Sequence, residues 1–420
     1  MKKLLTVCLL AVMLLAAALV GQPPPVQDDR QRLFHEIETI LADLQEITGL
    51  KPLKAVPHEF IARAQVKEFL EQRVKEEIKP EELRAEELTL KKFGFVPGDF
   101  DLKQTSIDLL TEQAAAFYDY RKKRLYVLDS ASEGLQEVAL VHELAHALAD
   151  QHFNLAKFIL HAKESDDGAM ARMAVMEGQA TWLMSEYMAR RMGMSLKTSP
   201  AIASAMGAQL GVAAGQYPVF DEAPLYQRES LLFPYTKGML FQQAVIEKDG
   251  QAGFARVFER PPASTQQILH PEKYFAGENP LNSSVPAVPA QGEYRTLAEG
   301  SFGEFDHTVL LQQYAGQQAA DSVAFRWKGG SYRLLEHKKD GRTVLAYSSD
   351  WVDQAAAREY FGLYRKVLRG KWKTMEVTTD EGERLAGRGD DGYFDLRLTG
   401  DRVTCLQGLA SPGEARPPMR

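Results

Sequence analysis

Cysteine is nearly absent from this 420-residue chain, which carries only Cys8 and Cys405. Cys8 lies in an apolar N-terminal run, so a chain trimmed after that run keeps one thiol and no internal disulfide. Stability must then come from a buried core, and from any metal the chain can hold. A concentrated stripe of Lys and Arg is also missing. Fifty basic against 57 acidic side chains leave a net charge of −7, which argues against nucleic acid as a partner. No apolar run after Val20 is long enough to span a bilayer, and no internal repeat is visible. The length allows two or more domains.

The N-terminus has the three parts of an export signal. Lys2 and Lys3 precede an apolar run from Leu4 to Val20, and Ala16-Ala17-Ala18 offers small residues for cleavage. Residues 1–21 are therefore expected to be a signal peptide, either cleaved or retained as an N-terminal anchor. The body is expected to be exported in both cases. Residues 22–30, with Pro23-Pro24-Pro25, read as a polar linker.

Periodicity predicts helices over 31–47, 64–78 and 80–93, then two short strands over 114–120 and 124–128. Ser130 and Glu133 form a capping-box pattern ahead of a helix over 137–150. A further helix is expected over 167–192, a soft Ala/Gly-rich stretch over 201–214, and a helix over 233–248. Residues 278–294 read as a linker rich in Pro, Asn and Ser. Beyond it, strands at 332–338, 343–348, 393–398 and 402–406 with a helix over 353–368 predict a small α+β domain over 295–410. Its role is not legible, and Trp327, Trp351 and Trp372 are expected in its core or interface. The fold class expected is α+β: a mainly helical domain over 31–277 with a small mixed sheet edge, then this small C-terminal α+β domain.

The chemistry is concentrated in Val141-His142-Glu143-Leu144-Ala145-His146. Histidines four residues apart on a helix share one face, the spacing that grips a single Zn²⁺ with a glutamate left beside it for protons. The surrounding helix is apolar nearly all round, so these polar groups are committed to the interior and need partners. A catalytic zinc generally takes three protein ligands and a water. Glu177 is the best third ligand, because it sits in the apolar stripe of Met170, Met173, Ala174, Ala180, Met184 and Met188. His152 and His161 are rivals, expected on the connection between the two helices. Glu164, Asp166 and Asp167 are expected in a solvated polar turn.

His-Glu-x-x-His followed by a helical glutamate resembles the gluzincins, the zinc metallopeptidases that include thermolysin and the aminopeptidase-N-like enzymes. Glu177-Gly178-Gln179-Ala180-Thr181-Trp182 is similar to the segment that carries the third ligand in the latter, with Met176 where they have Asn. Pro234-Tyr235-Thr236-Lys237-Gly238 is similar to their Pro-Tyr-x-Lys-Gly. The resemblance implies a zincin-like catalytic domain with one Zn²⁺ on His142, His146 and Glu177. It implies Glu143 as general base and Tyr235, at a helix start, as oxyanion stabiliser. It covers 114–250. The strand pair before the active helix would then offer an edge along which an extended peptide lies.

Three departures matter. Thirty residues separate His146 from Glu177, more than in those relatives. The Gly-x-Met-Glu-Asn motif that holds a free amino terminus is absent. Thr181 stands where thermolysin has an aspartate. The resulting expectation is an exported endopeptidase acting on peptide or protein. Its alternatives are an aminopeptidase and a zinc-stabilised binding or scaffold protein that cleaves nothing. His270, in a loop before Pro271, is an additional candidate at the oxyanion. The oligomeric state is not legible.

Overall fold

The computed structural model describes residues 27–129, 133–161, 165–199, 201, 203, 205 and 217–412. The expected signal peptide and the capping serine lie outside these residues, as does most of 201–214. The described chain is α+β, 57% helix and 20% strand. A helical N-terminal part is followed by a C-terminal antiparallel sheet. No described helix is long and apolar enough to cross a membrane.

The first helix, α1 (Gln27–Thr48), starts inside the expected polar linker. Ile37, Ile40, Leu41, Leu44 and Ile47 recur at helical spacing and are all buried, so α1 belongs to the core. It is followed by β1 (His58–Ile61), α2 (Arg63–Glu77), α3 (Pro80–Phe93) and α4 (Leu102–Gln113). Pro80 takes the first position of α3, where a missing N–H costs nothing, and Gly94 ends the helix at φ 89°. Strands β2 (Ala116–Asp119) and β3 (Arg124–Leu128) form the expected hairpin.

The small sheet has the order β1-β3-β2, with β1 parallel and β2 antiparallel to β3. In the β2–β3 register Tyr118 faces Leu125, and the Leu128 N–H donates to the Ala115 carbonyl. Antiparallel ladders alternate, so Ala115 and Phe117 spend their main-chain groups on β3. Ala116 and Tyr118 turn theirs to the outer edge.

Next come α5 (Glu133–Phe153), α6 (Leu155–Leu160), α7 (Asp166–Arg191), α8 (Pro218–Glu222) and α9 (Leu225–Asp249). The last begins eight residues before the expected start at Phe233, with Pro234 in its interior. A proline there removes one helical bond. Packing carries the helix through: Tyr226 and Phe233 both lie against Phe305, at ring-centroid distances of 5.9 and 4.8 Å. Short helices α10 (Gly253–Glu259), α11 (Thr265–Leu269) and α12 (Pro271–Ala276) complete this part.

The C-terminal part runs β4 (Tyr294–Ser301), α13 (Glu304–Ala315), α14 (Gln317–Val323), β5 (Trp327–His337), β6 (Thr343–Trp351), α15 (Gln354–Lys371), β7 (Met375–Glu381), β8 (Arg384–Gly389), β9 (Gly392–Thr399) and β10 (Arg402–Leu409). Its strands form one antiparallel sheet in the order β4-β5-β6-β10-β9-β8-β7. Trp327, Trp351 and Trp372 are buried, as expected. One hydrophobic core runs without a break from α1 to this sheet. Phe302 stacks on Phe93 at 4.4 Å, so the two parts share a core across the 278–294 connection.

Candidate metal centre

Helix α5 presents His142 and His146 on one face, and α7 brings Glu177 against them. The three side chains meet at the tips. His142 Nε2 lies 3.2 Å and His146 Nε2 3.3 Å from Glu177 Oε2, and the two Nε2 atoms are 3.1 Å apart. All three residues are buried. They are the one group of possible ligand residues found close enough to hold a metal among the described residues.

The spacing is informative. Four ligands arranged tetrahedrally at zinc–nitrogen and zinc–oxygen bond lengths of about 2.0–2.1 Å stand about 3.3–3.4 Å from one another. The triad's three edges fall within a few tenths of an ångström of that value. Both Nε2 atoms face the Glu177 carboxylate, which can only accept, so each is drawn to be an N–H there, and two such N–H groups are then crowded against each other. A shared cation resolves the conflict for both. The residues therefore fit a single divalent ion with one coordination position left over.

As a cluster of protons alone, the charges sort by partner. Burial would raise the Glu177 carboxyl, yet His146 and His142 beside it hold it down at about 2. Burial would lower His146, but Glu177 raises it above its ordinary value. His142 is pushed down to about 4 by burial. Both the Nδ1 of His142 and the Thr181 hydroxyl, one turn beyond Glu177, are buried with no partner among the described residues.

Glu143 is not one of the three clustered groups and is bonded to the small sheet. Its Oε2 accepts the outward N–H of Tyr118 at 2.7 Å. Burial raises its carboxyl to about 8. The Tyr118 hydroxyl donates to Asp150 at the end of α5, and Lys123 closes on the same carboxylate at 2.6 Å. Strand and helix are thus tied together through Glu143 and Asp150.

Tyr235 is buried with its ring stacked on His142, centroids 6.0 Å apart at 26°. It sits within α9, not at its start. What places it there is a pair of glycines whose role the sequence reading missed. A Cβ on Gly178 would lie 2.1 Å from the Gly238 carbonyl carbon, and one on Gly238 would lie 2.2 Å from the Ala174 oxygen. Helices α7 and α9 cross in main-chain contact, which pulls Glu177 and Tyr235 to the same place. Two glycines at matching depth in adjacent apolar helices were the available signal.

The other candidates lie elsewhere. His152 falls in the last turn of α5, not on the connection, and faces the Lys51 carbonyl at 2.8 Å. His161 is exposed after α6. Asp166 and Asp167 open α7 and are not in a solvated turn. Asp167 is buried against the Thr265 hydroxyl and N–H, and Asp166 accepts from Tyr332 at 2.6 Å. Glu164 lies outside the described residues. His270 is bound to Glu304 at the start of α13, 2.8 Å away, and that carboxylate raises its pKa. It is engaged at the joint between the two parts, paired with Glu304.

Among known proteins, a family described as a domain of unknown function (DUF8575) matches residues 293–416. That match covers the C-terminal sheet and stops short of the triad. No curated protein and no solved structure matches the chain.

Proposed function

We propose that this chain is an exported zinc-dependent endopeptidase whose centre is His142, His146 and Glu177. The observation that carries the reading is the 3.1–3.3 Å triangle of two Nε2 atoms and one carboxylate oxygen. The glutamate next in sequence to His142 lies outside that triangle. A purely structural ion needs no such base and is usually closed by a fourth protein ligand.

A zinc ion on these ligands supplies an acidified water and a Lewis acid for the substrate carbonyl. Glu143, held through Oε2 by the Tyr118 N–H, leaves Oε1 to take a proton and return it to the departing amine. Tyr235, packed on His142, brings a hydroxyl towards the charge that develops on the carbonyl oxygen. The outer edge of β2 lies beside the base, where an extended peptide can be held by its main chain.

The test is digestion of reduced casein and of a quenched peptide, with and without chelator. Cleavage that disappears on chelation and returns with Zn²⁺ is the expected result. Equal cleavage of free and N-acetylated peptides marks an endopeptidase, and a strict need for a free amino terminus would mark an aminopeptidase. No cleavage by protein carrying one zinc per chain would leave only a metal-stabilised scaffold.

A further inference from the structure

Away from the metal centre, a cavity of about 670 Å³ opens where the two parts of the chain meet. Its walls come from the start of α7, from the 278–294 connection and from strands β4 and β5. Small-ligand sites favour such junctions and run to roughly 300–1,000 Å³. Glu177 lies ten residues along α7 from Asp167, about 15 Å at the helical rise, so the cavity and the triad are separate places. The mouth is at the surface, where Leu281 is 50% exposed and Asn282 and Glu299 are exposed too.

The wall carries donors that the protein itself does not use. Trp327 is 1% exposed, yet its Nε1–H has no partner among the described residues. A buried indole N–H usually has one. Gly330, also in the wall, lacks the Cβ that would stand 3.0 Å from that nitrogen, so no side chain covers it from there. Ser165 and Ser301 supply a second donor by count. Each Oγ accepts a main-chain N–H, from Gly168 and Asp167 respectively, and the two hydroxyls share one bond of 2.9 Å. Two hydroxyl protons serve that single bond, so one is left over. The Ser331 hydroxyl and the Asn282 amide make no side-chain hydrogen bond among the described residues.

Charge, by contrast, is already matched. Asp167 is bound by the N–H and the hydroxyl of Thr265, and Glu299 pairs with Arg333 at 3.0 Å. The wall thus calls for a neutral ligand that both donates and accepts hydrogen bonds, with an apolar face for Leu281. Sugar hydroxyls do both, and the C–H face of the ring meets the leucine. An extended peptide needs a row of main-chain partners along one edge. The spare groups here are side chains from four separate segments that converge on one cavity.

We infer that this cavity binds a short uncharged oligosaccharide, held by the Trp327 indole N–H, the Ser165–Ser301 hydroxyl pair, Ser331 and Asn282. The four tryptophans give four indole N–H signals in a two-dimensional NMR spectrum, and Trp327→Phe identifies the one from the cavity. The full chain is titrated with maltotriose, cellotriose and triacetylchitotriose, and with triglycine as the peptide control. At least one trisaccharide should shift the Trp327 signal saturably and leave that of Trp182, in the helical part, in place. Asn282→Ala and Ser331→Ala remove no described hydrogen bond of the protein. Both should fold as the parent does and bind that sugar roughly threefold to tenfold more weakly. Saturation by triglycine with no response to the sugars would give the cavity to a peptide and overturn the inference. So would silence towards all three trisaccharides, or a response that neither variant weakens. None of these readouts depends on zinc or on peptide cleavage.

Discussion

Gly178 and Gly238 touch through their main chains where α7 crosses α9, and neither position has room for a side chain. Glu177 precedes one of these glycines and Tyr235 lies three residues before the other. The crossing therefore sets how far Glu177 stands from Tyr235. Alanine ordinarily favours a helix interior over glycine by about 1 kcal/mol. Here Gly178→Ala or Gly238→Ala should instead cost about 2–3 kcal/mol, as overpacking does, and should weaken zinc binding. Urea unfolding and competition with a chromophoric chelator measure the two effects. A rise in stability would mean that the helices do not meet there.

Glu143→Gln separates holding the metal from using it. The side chain lies outside the triangle, so the variant should keep one zinc per chain by elemental analysis while losing a factor of about 10²–10⁴ in peptide cleavage. Glu177→Ala should lose the metal and the activity together.

Tyr235→Phe keeps the ring stacked on His142 and removes only the hydroxyl. A donor used in the transition state alone should lower kcat by a factor of about 10²–10³ with little change in KM. An unchanged kcat would assign Tyr235 to packing.

His307 gives a pH dependence far from the centre. Its Nδ1–H donates to the Gly303 carbonyl, which can only accept, so Nε2 is left to accept the Tyr347 hydroxyl. The ring is neutral and fully buried, and burial pushes its pKa down to about 3. In the unfolded chain it takes a proton below about pH 6.5. The unfolded state thus gains protons first, and stability present above pH 6.5 is lost as the pH falls towards 3. Between pH 7 and 5 the loss should be about 2 kcal/mol. Urea midpoints of the wild type and His307→Gln, compared across that range, should converge as the pH drops.

Much of this was legible because burial and chemistry conflict in the sequence itself. His142, Glu143 and His146 in an apolar helix, and Glu177 in an apolar stripe, announce a need for partners before any fold is known. The helices over 64–78 and 80–93 and the 114–128 hairpin fall close to their expected places for the same reason: their patterns are local. Strand β1 went unseen because His58–Ile61 is short and pairs with β3, more than sixty residues away. The strand β7 was hidden by its position at the sheet edge, where Met375–Glu381 is mostly exposed and carries no alternation of polar and apolar residues. Pro234 misled the reading of α9, since aromatic packing against Phe305 outweighs one missing bond. Asp166 and Asp167 looked solvated because their partners, Tyr332 and Thr265, come from distant segments.

The depth of the centre has a kinetic consequence. His142, Glu143, His146 and Glu177 are 1, 3, 9 and 2% exposed, too little for a chelator, or a peptide, to reach an ion until the covering chain moves. An ion seated there can leave only when the surrounding protein breathes, however strongly it is sought from outside. Zinc removal by EDTA or phenanthroline should therefore approach a ceiling as the reagent concentration rises, the same ceiling for both. That limiting rate would report how often the protein opens its own interior.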